Sequence, residues 1–106
     1  MLTTIDADPD AAVLAKTLVD ERLAACVNVF PPMVSVYRWK GKVAQGREQQ
    51  LVIKTTPERV AALETRLRAL HPYELPEFIV LSGTASAAYA AWARESVEPD
   101  KAGPHD

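Results

Sequence analysis

The 106-residue chain has one cysteine, two histidines and four glycines. A single cysteine, Cys26, excludes an internal disulfide and fits a reducing compartment. Two histidines, one of them in the tail, leave little choice of imidazole base, so no Ser/His/Asp set can be assembled. There is no Cys-x-x-Cys pair, no His-x-x-x-His pair and no glycine-rich phosphate loop. These absences count against a hydrolase and a closed zinc site. No run of ~18 apolar residues occurs, so no membrane-spanning helix is expected. The N-terminus lacks the basic start and continuous apolar stretch of a secretion signal, which makes the cytoplasm the expected location. An excess of basic charge is also missing: the net charge is −2 and the pI about 5.7. Neither nucleic acid nor an anionic membrane is therefore an expected partner.

The remaining composition is that of a soluble globular protein, with 48% hydrophobic and 25% charged residues. The length suits one domain with one core, expected over residues 1–97, followed by a loose polar tail over 98–106. Met1 to Ile5 reads as the end of a strand, either short or begun upstream of this chain. Asp8, Pro9 and Asp10 form a helix start, with Asp8 as the cap and Pro9 at the first helical position. Ala11, Leu14, Ala15, Leu18, Val19 and Leu23 continue at helical spacing, which predicts a helix over 9–24. A strand follows from Cys26 to Val29, interrupted by Pro31-Pro32. Residues 33–55 read as a long hairpin turning at Gly41, with Gly46 as a candidate bulge. Thr56-Pro57-Glu58 opens a second helix, carried by Val60, Leu63, Leu67 and Leu70 and ended by Pro72. Residues 78–81 read as a fourth strand and 86–97 as a third helix.

The order β-α-β-β-α-β-α predicts an α+β, ferredoxin-like fold with both long helices on one sheet face. The strands, however, are apolar on both parities. Leu51-Val52-Ile53 and Phe78-Ile79-Val80-Leu81 are continuous apolar runs. Met33, Tyr37 and Trp39 share one face of a strand whose other face carries Val34 and Val36. A sheet with water on one side should alternate apolar and polar. Two apolar faces with helices for one imply a partner surface, and a homo-oligomer is expected.

Several residues could carry chemistry, each beside a plainer role. Cys26 is a soft ligand or a small buried side chain at a strand start. His71 ends a helix near Tyr73, Glu74 and Glu77, so it belongs to a mixed imidazole and carboxylate site or simply packs on Tyr73. Tyr37 and Trp39 line a pocket or form the aromatic part of a subunit interface. Lys54 pairs with Glu74 or Glu77, or binds an anion in a cleft. His71 with Glu74 or Glu77 could serve as an acid/base pair. No nucleophile or oxyanion site accompanies them, and no enzyme is expected.

Four segments together carry a specific likeness. They are Glu21-Arg22-Leu23-Ala24-Ala25-Cys26-Val27-Asn28, Tyr37-Arg38-Trp39-Lys40-Gly41-Lys42, Ile53-Lys54-Thr55-Thr56 and His71-Pro72-Tyr73-Glu74-Leu75-Pro76-Glu77. In this order they resemble the CutA family of divalent-ion-tolerance proteins, over nearly the whole chain. The resemblance implies a compact homotrimer of PII-like architecture. It also implies a role in metal-ion tolerance or response, with copper or another divalent cation as the ligand. His71, Cys26 and Glu74 are then the metal candidates. Tyr37, Trp39, Lys54, Tyr73 and Glu77 are the cleft candidates. The alternative is a PII-like signalling or scaffold protein that binds a small anionic ligand or a protein partner. This chain departs from some members in two places. Thr3 stands where they have a cysteine, and Leu70-His71 where they have two histidines.

Overall fold

The computed structural model describes residues 1–7 and 10–99. The expected cap Asp8 and first helical residue Pro9 lie outside the described residues, as do residues 100–106 of the expected tail. The elements run β1 (Leu2–Asp6), α1 (Asp10–Asp20), β2 (Cys26–Val29), β3 (Met33–Trp39), β4 (Lys42–Lys54), α2 (Val60–Leu70) and α3 (Ala87–Val97). A 3-10 turn, Pro57–Arg59, leads into α2. The fold is α+β with an antiparallel sheet. Strand β1 pairs with one edge of β4, while β2 and then β3 pair with the other.

Helix α1 stops earlier than its apolar spacing suggests. Arg22 adopts a left-handed conformation (φ 58°). Its N–H donates to the Val19 carbonyl and the Leu23 N–H donates back to Leu18. This pair of bonds is a Schellman cap, completed by contact between two buried leucines. The Arg59 Nε donates to the Arg22 carbonyl at 3.2 Å, which ties the cap to the start of α2.

The β3–β4 hairpin closes through Lys40 (φ 52°) and Gly41 (φ 79°), both left-handed. Two successive positive φ angles make the tight turn whose twist matches a hairpin. The expected bulge at Gly46 is not there, since Gly46 is in register with Ser35. The extra residue lies at the prolines instead. Phe30 bonds Gln50 and Met33 faces Glu48, so Pro31 and Pro32 oppose the single residue Gln49. Proline cannot donate to a ladder, so this is where the strand yields.

The core lies between the sheet and helices α1 and α2. Ile5, Leu51 and Ile53 meet Leu14, Leu18, Leu63 and Leu67 there. The expected fourth strand over 78–81 shrinks to one antiparallel bridge between Leu2 and Ile79. Helix α3 rests on a smaller cluster of Ala25, Ala93 and Val97, and Ser86 caps it by accepting from the Tyr89 N–H at 3.2 Å. The far end of the hairpin leaves Val34, Val36 and Val43 exposed.

A Cβ on Gly41 would meet nothing within 4 Å, so a substitution there tests the backbone alone. Gly41→Ala is expected to lower stability by about 1 to 2 kcal/mol, the cost of a left-handed conformation for an L-residue. Urea unfolding of the two proteins checks this.

Candidate functional site

Residues 71–79 run along the free edge of β1 and build one wall of a groove. The Ile79 and Leu2 backbones exchange two hydrogen bonds of 2.8 and 3.1 Å. One step along, at Thr4, the ladder does not continue. The Thr4 carbonyl is met instead by His71 Nε2 at 2.6 Å. A carbonyl only accepts, so Nε2 carries the imidazole proton. The other nitrogen, Nδ1, then accepts the Tyr73 N–H at 3.1 Å. His71 is 7% exposed, and its ring meets that of Tyr73 edge-on at 4.5 Å. Both nitrogens are thus committed to holding the loop against the strand.

Tyr73 carries the arrangement to the open face of the sheet. Its hydroxyl lies 2.8 Å from an Asp6 carboxylate oxygen and 2.7 Å from one of Glu48. Asp6 and Glu48 are register partners on β1 and β4. Burial, and then the two carboxylates facing its proton, push the phenol above its ordinary value. A second staple lies beside it. Gln50 Nε2 donates to the Thr3 carbonyl at 2.9 Å and to a Glu77 carboxylate oxygen at 3.1 Å.

The result is a groove of about 750 Å³. Tyr37 and Trp39 of β3 line one side, Tyr73, Glu74, Leu75 and Glu77 the other, and Glu48 and Gln50 of β4 the floor. Tyr37 spans the strand pair, its hydroxyl 4.0 Å from where a Gly46 side chain would begin. A shallower hollow of about 400 Å³ lies beside Pro31 and carries no ionisable side chain.

The cleft candidates Tyr37, Trp39, Tyr73 and Glu77, together with Glu74, therefore come together. Lys54 does not join them. It faces Cys26 across the β2–β4 pair, at the other end of β4, and Glu77 is bonded to Gln50 instead. The metal candidates His71, Cys26 and Glu74 do not converge within one chain. Among the described residues no three His, Cys, Asp or Glu side chains form a metal-holding group. The residues of one chain thus do not fit a closed transition-metal site. Glu48 and Gln50 are the floor residues that sequence reasoning missed. Strand parity was the available signal, because Glu48 is in register with Met33, two residues from Ser35 and four from Tyr37 on the same face.

Comparison with known proteins agrees with this architecture. The family profile described as CutA1 divalent ion tolerance protein matches residues 1–96. The chain belongs to that family. It is 42% identical over 97 residues to the divalent-cation tolerance protein CutA of Thermus thermophilus, covering 91% of this chain and 94% of that protein. The crystal structure of CutA from Xylella fastidiosa superposes with a TM-score of 0.86 at 44% identity, covering 92% of this chain and 94% of that one. The PII-like protein CutA from Nostoc sp., in apo form, gives 0.85 at 33% identity, covering 92% and 95%. Both CutA structures share the ferredoxin-like chain path predicted from the element order.

Two substitutions test the site's wiring. His71→Ala leaves the buried Thr4 carbonyl and Tyr73 N–H without partners, and should cost about 3 kcal/mol in metal-free urea unfolding. A side chain kept only for metal ligation would cost far less. Tyr73→Phe addresses pH. A phenol raised in the folded state above its ordinary value of 10.0 stabilises the fold below that pH and loses the contribution as pH climbs further. Unfolding above pH ~10 should therefore show the parent losing stability more steeply than Tyr73→Phe.

Proposed function

We propose that this CutA protein is a divalent-ion response protein that acts as a homotrimer and holds a divalent cation weakly at a cleft between subunits. The single observation behind this is the charge of the groove. Glu48, Glu74 and Glu77 line it, and among the described residues no lysine or arginine does. Such a surface attracts cations and opposes anions, which argues against the small-anion alternative. Its donors are carboxylate, amide and hydroxyl oxygens, suited to a hard, loosely held ion more than to copper. Copper at His71 and Cys26 is the less supported form, since both imidazole nitrogens are already bonded.

The trimer is supported by the open sheet face. Tyr37 and Trp39 are 46% and 40% exposed, and Ile79, Val80 and Leu81 are exposed at the far end of the sheet. An apolar surface of that breadth suits an interface between copies. One chain supplies too few ligands for a closed site, and neighbouring copies could complete it. The lone cysteine is in keeping with a cytoplasmic setting. We assign no catalytic role.

Native mass spectrometry of the untagged chain, with manganese and then copper ions, tests both halves. A trimer that takes up an integral number of ions is expected. Glu74→Gln with Glu77→Gln should abolish uptake, and Cys26→Ser should leave it unchanged. Trp39→Glu should yield monomer or aggregate. A monomeric parent, or a trimer that takes up neither metal, would overturn the corresponding half.

A further inference from the structure

The fold uses His71 in its neutral form. Nε2 gives its proton to the Thr4 carbonyl at 2.6 Å, and Nδ1 accepts the Tyr73 N–H at 3.1 Å. A second ring proton has only Nδ1 to go to, where it would meet the Tyr73 N–H donor against donor. The imidazole is buried, and among the described residues no charged side chain bonds it. A buried cation without a partner is costly. The charged groups on the elements around it have other partners or face solvent. Asp6 of β1 and Glu48 of β4 meet the hydroxyl at the far end of Tyr73. Arg68, in the last turn of α2, is paired with Glu64. On the loop itself Glu74 is exposed and Glu77 is bonded to Gln50. The carbonyl end of α2 attracts positive charge, but the ring is turned toward β1 and Tyr73, whose N–H opposes it.

The same bonds hold the loop. Among the described residues, 72–76 are hydrogen-bonded to the rest of the chain only through Tyr73, by its N–H and its hydroxyl. Beyond them the chain is fixed again by the Gln50–Glu77 bond and the Ile79–Leu2 pair. We propose that His71 is a proton-operated latch: one proton taken up at Nδ1 releases residues 72–76 from the edge of β1. The freed ring exchanges its two bonds for water, Tyr73 leaves Asp6 and Glu48, and one wall of the groove opens between fixed ends. The direction follows from the proton count. The closed loop holds one ring proton and the open loop two, so acid favours the open form. Exposed imidazole titrates near pH ~6.5, and the open population rises about tenfold per pH unit below that. Carboxylates ordinarily titrate below pH ~5, which separates His71 from the acidic groups near it. The latch consists of the chain's own bonds and does not depend on whether the groove holds a cation.

Hydrogen–deuterium exchange of the full chain, metal-free, between pH ~7.5 and ~5.5 tests it after correction for the intrinsic effect of pH. The Tyr73 amide should lose protection about tenfold per unit below pH ~6.5, while the Leu51 and Ile53 amides of β4 keep theirs. His71→Gln offers a donor and an acceptor without a titrating ring, so its Tyr73 exchange should be flat over this range. Tyr73→Phe keeps the imidazole and lacks the phenol. Its amide at position 73 should retain the parent's pH dependence, which a switch driven by Asp6 and Glu48 would lose. Ring nitrogen shifts of His71 in the parent cover the case of a variant that does not fold: Nδ1 should gain its proton as the Tyr73 amide opens. Protection that holds down to pH ~5.5, or a pH dependence that survives in His71→Gln, would overturn the latch. So would an Nδ1 that stays unprotonated while the loop opens, or a loss of protection that spreads through β4.

Discussion

Strand β4 is the element on which the rest of the molecule depends. It carries β1 on one edge and both β2 and β3 on the other. Two adjacent glutamines at its centre work on opposite faces. Gln49 Nε2 donates to the Phe30 carbonyl at 3.0 Å, securing the chain where the two prolines break the ladder. Gln50 reaches across β1 to Glu77. One strand thereby sets the register of the bulge, the position of the edge loop and the floor of the groove.

The length of β4 also explains the open face. At about 3.3 Å per residue its 13 residues span roughly 43 Å. Helices α1 and α2 have 11 residues each, or about 16 Å at 1.5 Å per residue. The helices can cover less than half of the strand. The remainder projects as the β3–β4 hairpin, with Val34, Val36 and Val43 exposed on the parity that faces the helices further down. Apolar residues on both parities of the hairpin are therefore a consequence of geometry, and they make a single chain an incomplete hydrophobic unit.

The sequence revealed most where the signal was local. Gly41 after Lys40 marked the hairpin turn, Pro72 marked the end of α2, and the apolar spacing of Leu63 and Leu67 picked the buried face. It misled where the outcome depended on a distant partner. The end of α1 contains no glycine, yet Arg22 takes the left-handed cap because Leu18 and Leu23 can be buried together and Arg59 can reach its carbonyl. The run 78–81 has the composition of a strand, but with Ile79 opposite Leu2 in antiparallel register its last residues run past the start of β1. Gly46 looked like a bulge, while the donor-less Pro31 and Pro32 forced the extra residue elsewhere. For the site, the 71–77 segment and the Tyr37–Trp39 face were legible as candidates. That both nitrogens of His71 are bonded was not, because the Thr4 carbonyl that Nε2 meets lies 67 residues away.

The two departures from some CutA members take on a different meaning in this setting. Thr3 is fully buried on the helix-facing side of β1, and its hydroxyl finds no partner among the described residues. The groove lies on the opposite parity, at Thr4. A cysteine at position 3 would occupy the core side and could not reach an ion held by Glu48 or Glu77 without reversing the strand. Leu70 likewise packs against the core cluster, so a histidine there would bury an imidazole and not extend the groove. The missing thiol and imidazole are therefore losses to the interior of this chain and leave the acidic floor untouched. Any cation response in this protein is best sought in oxygen donors on the open face, where Tyr73 links the buried histidine latch to the carboxylates that meet solvent.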